Sequence, residues 1–284
     1  MSKFLFVTDL HGMLSCEGRV DSPLEALQHK LSWCVDWCNT EGAALILGGD
    51  IFDRPTAPHE VSNALRETLR CCRNGVYAVW GNHDILYRQS LYKPKCALYG
   101  FRDFIRFVDE APVEGPDFYL TGVFPREPHS KIVLYVGHAF LDIPDGDYSV
   151  SRIDIGGYQG RMVCLLGHDH SVYPAENCGM SVILRPGSLM RCRRSLSELR
   201  DSVYGYVIDT TAETYSSLSI PCSPCSSVFR LDASSLPAVK ENAVDLDSLF
   251  AVLREESVGA GLTFEEALRR VATEEVAAYV MSKI

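Results

Sequence analysis

Short apolar runs, each stopped by a small polar cluster, set the rhythm of the first eighty residues. Lys3 to Thr8 is rich in Phe, Leu and Val with little alternation, which predicts a strand buried on both faces that Asp9 ends. Ser22, Pro23 and Glu25 then supply an N-cap, a first-turn proline and a capping box for a helix running to about Asn39. A second apolar run, Ala43 to Leu47, leads into Gly48, Gly49 and Asp50. A helix from about His59 to Cys72 follows, then a third strand, Val76 to Trp80, which stops at Gly81, Asn82, His83 and Asp84. Strand, helix, strand, helix, strand in this order implies parallel pairing through crossover helices. From about Phe118 the pattern changes to closely spaced short strands, among them Ile132 to Val136, Met162 to Leu166, Val182 to Leu184 and Tyr204 to Ile208. These are expected to form a second sheet facing the first, so the fold class is α/β with two facing mixed sheets flanked by helices. Beyond about Ser216 a Pro, Ser and Cys stretch intervenes. Leu246 to Glu256 and Phe264 to Ser282 then read as two amphipathic helices, the second opened by a capping box of Thr263 and Glu266.

Composition narrows the class. With 284 residues, 46% apolar and 23% charged, the chain is long enough to bury a large core and is neither disordered nor fibrous. The apolar N-terminal stretch is broken by Asp9 before it could act as a secretion signal. No run approaches the roughly 18 apolar residues of a membrane span, so a cytoplasmic protein without a membrane partner is expected. Eleven cysteines, an odd number without regular spacing, fit reduced thiols better than a disulfide framework. Cys222 and Cys225 have the gap of a zinc half-site, but no second pair follows. The formal charge of -10 argues against a generally basic surface while leaving room for a local phosphate-binding patch.

The polar stops carry the chemistry. They read Asp9-x-His11, Gly49-Asp50-x-x-Asp53, Gly81-Asn82-His83-Asp84, Gly137-His138 and Gly167-His168-x-His170. Each falls just past a strand, at the carboxyl edge where open α/β sheets gather their ligand sites. Asp9 and His11, two apart on extended chain, point to one side, as do His168 and His170. Imidazole, carboxylate and amide groups without thiolate favour manganese, iron or zinc. Glycine flanks four of the five clusters, as close backbone approach to ions or phosphate requires.

In order and content these motifs resemble the calcineurin-like metallophosphatase superfamily over about the first 210 residues. The resemblance implies a four-layer sandwich and two divalent cations, manganese first, with iron or zinc as alternatives. One cation would be held by Asp9, His11, Asp50 and His170 and the other by Asp50, Asn82, His138 and His168. Asp50 would bridge them, His83 would protonate the leaving oxygen and Asp53 would orient His83. Two cations roughly 3.5–4 Å apart can acidify a bridging water and clamp the attacking and leaving oxygens of an in-line displacement. Residues 1–215 would then form the metallophosphoesterase catalytic domain, and 216–284 a small C-terminal capping or partner-binding region.

Gly49 to Pro55, the Asn-His-Asp form of the third motif and Arg185-Pro186-Gly187-Ser188 look most like the SbcD-type DNA repair exonucleases, whose tails are longer. That resemblance implies DNA as substrate and an ATPase partner subunit. Arg185, Arg191, Arg193, Arg194 and Arg200 form a basic cluster that reads either as a grip on a phosphodiester backbone or as a solvated loop. Lys93 and Lys95 would add to such a grip. Arg54 reads equally as a phosphate contact and as a surface arginine, because Pro55 stands where the family's Asp-Arg-Gly turn has glycine. The competing substrate class is a nucleotide, lipid head group or other small phosphoester. Leu246, Leu249, Phe250 and Leu253 share one helical face, which would either dock on the catalytic domain or pair with a partner, a second copy included.

Overall fold

The computed structural model describes residues 2–141, 152–153, 158–192 and 198–229. The elements expected at 246–256 and 264–282, together with Arg193 and Arg194, lie outside the described residues. The chain opens with β1 (Lys3–Val7), α1 (Pro23–Glu41), β2 (Ala44–Leu47), α2 (His59–Arg70) and β3 (Val76–Ala78). Three 3-10 turns then lead to β4 (Ile105–Phe107), β5 (Val113–Glu114), β6 (Phe118–Thr121), β7 (Ile132–His138), β8 (Phe140–Leu141) and β9 (Arg152–Ile153). The order ends with β10 (Met162–Gly167), β11 (Glu176–Cys178), β12 (Ser181–Leu184), β13 (Val203–Asp209), β14 (Thr214–Ile220) and the short α3 (Cys225–Val228). No described helix is long and apolar enough to cross a membrane.

Two six-stranded sheets carry the fold, ordered β14-β13-β1-β2-β3-β4 and β11-β12-β10-β7-β6-β5. In the first, β1 to β4 run parallel, as the crossover helices dictate. In the second, β12, β10, β7 and β6 are parallel, with β11 and β5 antiparallel at the edges. Strand periodicity assigns the two faces of β1. Phe4 and Phe6 point between the sheets and meet Phe118, Leu134, Leu165 and Leu184. Leu5 and Val7 point the other way, toward Leu27 and Leu31 of α1 and Val61 and Leu65 of α2. Phe4 stacks edge-on against Phe118 at 4.9 Å, an arrangement worth about 0.5–1.5 kcal/mol beyond the area buried.

Helix α1 starts where the sequence predicts and runs on past the expected end at about Asn39 to Glu41. The Ser22 hydroxyl accepts from the Glu25 amide at 3.3 Å, and Gly42 closes the helix at φ 67, donating its N–H to Cys38 O. Tyr204 to Ile208 departs from expectation: the strand belongs to the first sheet, antiparallel to β1 with Phe4 opposite Ile208. The reason is local. Tyr206 and Ile208 face the same inter-sheet core as Phe4 and Phe6, so the apolar pattern is identical for either sheet and only the open edge of β1 decides.

Candidate metal centre

The loops after β1, β2, β3, β7 and β10 bring all seven expected donors to one place. Asp9, His11 and His170 hold their donor atoms within 4.8 Å of one another, and so do Asp50, His138 and His168. Asp50 Oδ2 lies 3.1 Å from His138 Nε2 and 3.9 Å from His11 Nε2, between the two groups. Asn82 joins the second through its Oδ1, 3.1 Å from His138 Nε2. His11 Nε2 and His170 Nε2 face each other at 3.0 Å.

Backbone conformation builds this convergence. Asp9, His11, Asp50 and His168 all have positive φ, between 42° and 86°, a region that costs a residue with a side chain of order 1–3 kcal/mol. Cross-loop bonds hold them there: Asp9 N–H to Gly49 O at 3.2 Å, His11 N–H to Asp50 O at 2.9 Å and His168 N–H to Asp9 Oδ2 at 3.0 Å. Gly81 admits no side chain, since a Cβ there would lie 2.1 Å from Asp50 Oδ1. A Cβ on Gly49, itself at φ 95, would lie 2.5 Å from His138 Nδ1.

Outer contacts set the tautomers. His138 Nδ1–H donates to Gly48 O at 2.8 Å, and His170 Nδ1–H donates to the buried Glu198 carboxylate. Each bond leaves Nε2 as the lone pair turned into the pocket, the arrangement that metal-binding histidines use. Burial alone would lower the His170 pKa, but Asp9 and Glu198 outweigh it and lift it to about 10. His138 rises against burial to about 9 because of Asp50, whereas burial and the neighbouring His138 push His168 down to about 4. Burial opposes ionisation of Asp9, yet His170 and the other imidazoles hold it well below the carboxylate range.

These residues fit a pair of divalent cations. Asp9 Oδ1 and His168 Nε2 are buried without a hydrogen-bond partner, an expensive arrangement in a protein interior. Nitrogen and carboxylate donors converge on both, and the glycines leave the approach open.

The remaining expected residues divide. His83 sits half-buried beside the centre, its ring 5.0 Å from that of His11. The Asp53 backbone carbonyl, not its carboxylate, takes His83 Nδ1 at 2.7 Å. The Asp53 carboxylate lies 3.8 Å from His11 Nδ1 and within 4.8 Å of a His83 ring nitrogen, so the hydrogen bond that holds His83 comes from the main chain while the side chain stays beside the same ring. Arg54 stands exposed at the rim, its side chain 83% accessible. Arg191 does not face the site: it is buried, and its guanidinium is spent on the carbonyls of Arg200 and Ser223. Arg200 donates to His170 O and Ser188 O, and Arg185 to Glu176. Lys93 is taken by Asp109 and Glu110. These cations were expected either to grip a phosphodiester backbone or to lie in a solvated loop; here backbone carbonyls and carboxylates satisfy them within the fold.

Two participants carried no assigned role in the sequence. Glu198 lies 28 residues from His170, and no spacing rule connects them. Asp84, fully buried, accepts the amides of Ile51, Phe52 and Gly81 at 2.9–3.2 Å and so ties the Asp50 loop to the Asn82 loop. Its place in the Asn-His-Asp run was the available signal.

A family model described as calcineurin-like phosphoesterase matches residues 2–172, the stretch that contains all seven donors. The chain belongs to the calcineurin-like phosphoesterase family. Members of this family are metal-dependent phosphoester hydrolases with a dinuclear centre, to which the two donor groups described above correspond. Among solved structures, a protein of Thermus thermophilus is 14% identical, with 77% of this chain and 98% of that chain covered and a TM-score of 0.45. An archaeal phosphodiesterase is 15% identical over 76% of this chain and 99% of its own, at a TM-score of 0.39. The 5'-nucleotidase of Candida albicans is 15% identical over 76% and 51%, at 0.42. No curated protein matches the chain.

Proposed function

We propose that this calcineurin-like phosphoesterase is a manganese-dependent phosphodiester hydrolase that cuts DNA, with His83 protonating the leaving oxygen. The position of His83 carries the reading. Its amide is pinned to Asp50 Oδ1 at 2.8 Å and its Nδ1–H to Asp53 O, so the ring is fixed beside the centre and Nε2 is the atom that exchanges a proton with substrate. A bound pair of divalent cations would supply an acidified water and neutralise charge on the phosphoryl oxygens. Asp50, between the two donor groups, fixes their spacing.

The choice of DNA rests on the segments that carry the resemblance, because those same segments wall the centre. Ser188 N–H, in the Arg185 to Ser188 run, donates to His170 O at 3.3 Å. Gly187 packs at positive φ against His170 O. Arg54 is the exposed cation at the rim, and Arg193 and Arg194 are the remaining candidates for backbone contacts.

A second reading is a hydrolase of nucleotides or other small phosphoesters. It is favoured by the internal commitment of Arg185, Arg191 and Arg200, which removes most of the expected cationic grip.

Full-length protein loaded with manganese is to be given labelled single- and double-stranded DNA, then nitrophenyl phosphodiesters and monoesters. Cleavage of DNA that disappears in His83→Ala supports the first reading. Ester hydrolysis with every DNA left intact selects the second, and turnover of neither class removes both.

A further inference from the structure

Behind the wall of the metal centre lies a cavity of about 70 Å³ whose lining includes Arg19, Asp21, Lys30 and Arg191 and none of the seven metal-centre donors. Three of these groups are cations withdrawn from water. Lys30 is 2% exposed, Arg191 1%, and the Arg19 side chain 1%. Asp21 is the one carboxylate in the lining, and Arg19 takes both its oxygens, at 2.9 and 2.7 Å. Arg191 Nε is buried without a partner. The Lys30 ammonium has three N–H groups but among the described residues meets one carbonyl, Leu189 O at 2.9 Å, and the Met190 sulfur at 3.4 Å. Burial and then the charges of Arg191 and Arg19 push Lys30 down to about 8, the direction expected when positive charge is left unbalanced. Such a cluster is costly to bury unless a counter-charge enters it.

We propose that this cavity binds a small tetrahedral oxyanion of the phosphate or sulfate class, held by Lys30 Nζ, with the buried Arg191 guanidinium as the second balancing charge. The size suits such an ion. A single water needs roughly 10–15 Å³, so the cavity takes an ion of a few heavy atoms. The occupant assigned is the free ion, not the end of a nucleotide. Its wall is shared with the metal centre: Lys30 bonds Leu189 O, while Leu189 N–H donates to Thr8 O at 2.8 Å and Met190 N–H to Asp9 O at 3.2 Å.

The test uses full-length protein stripped of metal with a chelator, so that the dinuclear centre contributes no phosphate binding. Calorimetric titration with inorganic phosphate and with sulfate is expected to show one site, weakened at least about tenfold in Lys30→Met. Phenyl phosphate is expected to bind at least about tenfold more weakly than phosphate. Absence of binding to the wild type, or equal phosphate affinity in wild type and Lys30→Met, overturns the site; equal binding of phenyl phosphate overturns its assignment to a free ion. Should Lys30→Met fail to fold, wild-type crystals soaked in selenate decide. An anomalous peak in the cavity within hydrogen-bond distance of Lys30 Nζ supports the site, and its absence there at high selenate overturns it.

Discussion

Replacing Glu198 by Gln probes how far the centre depends on a residue that is not itself a donor to it. Glu198 is fully buried, and among its described contacts Oε1 accepts from His170 Nδ1–H and Oε2 from the Cys192 amide. Glutamine has the same shape but a single oxygen, so one of those N–H groups must face an NH₂. Leaving a buried donor unsatisfied costs about 1–3 kcal/mol, and the charge that strengthens His170 as a donor to metal is lost as well. At about 1.4 kcal/mol per tenfold, metal affinity at the group formed by Asp9, His11 and His170 should fall about 10- to 100-fold. The group formed by Asp50, His138 and His168 should change little. Manganese titration of metal-free protein by calorimetry, with metal counted after dialysis against a competing chelator, resolves the two. Equal losses at both sites, or unchanged affinity at the group formed by Asp9, His11 and His170, would refute the view that Glu198 acts through His170.

Three further expectations follow from the same geometry. His83→Ala should keep full metal content and lower turnover by roughly 10²–10⁴-fold, so loss of both metals in that variant contradicts its assignment as an acid. Metal uptake at pH 7 should release protons, because His138 and His170, lifted to about 9 and about 10, are protonated in the metal-free pocket and must be neutral as ligands. The stabilisation those two imidazolium groups give the metal-free fold is complete below their ordinary value of 6.5 and fades as pH rises through 9 and 10. Calorimetry in buffers of different ionisation heat, with melting curves against pH, checks both signs. Phe4→Ala, which empties a wholly buried position between the sheets, should cost about 3–5 kcal/mol in urea unfolding; a loss under about 1 kcal/mol would mean that the facing sheet closes the gap.

The seven donors were legible in the sequence because each follows a short apolar run and so sits at a strand end; their direction was not, since Asp9 and His11 were read on extended chain and both have positive φ. The start of helix α1 was legible for a similar reason: Ser22, Pro23 and Glu25 are local signals with local causes. What escaped is what depends on contacts distant in sequence. Strand β13 could not be given to a sheet from its own pattern, because both inner faces bury the same kinds of side chain. Arg191 was read as a phosphate grip or part of a solvated loop because nothing near it in the chain announces the carbonyls of Arg200 and Ser223 that receive it. Asp53 was credited through its carboxylate when its main-chain oxygen does the holding, a distinction no side-chain motif can express.

The four left-handed residues at the centre carry a lesson for anyone who would transplant this chemistry. Copying Asp9, His11, Asp50 and His168 onto a regular scaffold would reproduce the letters while aiming the vectors elsewhere, since an ordinary loop relaxes to the common dihedral basin. The inheritable unit is each bent turn together with the neighbouring turn that keeps it bent, so a workable graft must import main chain in interlocked pairs.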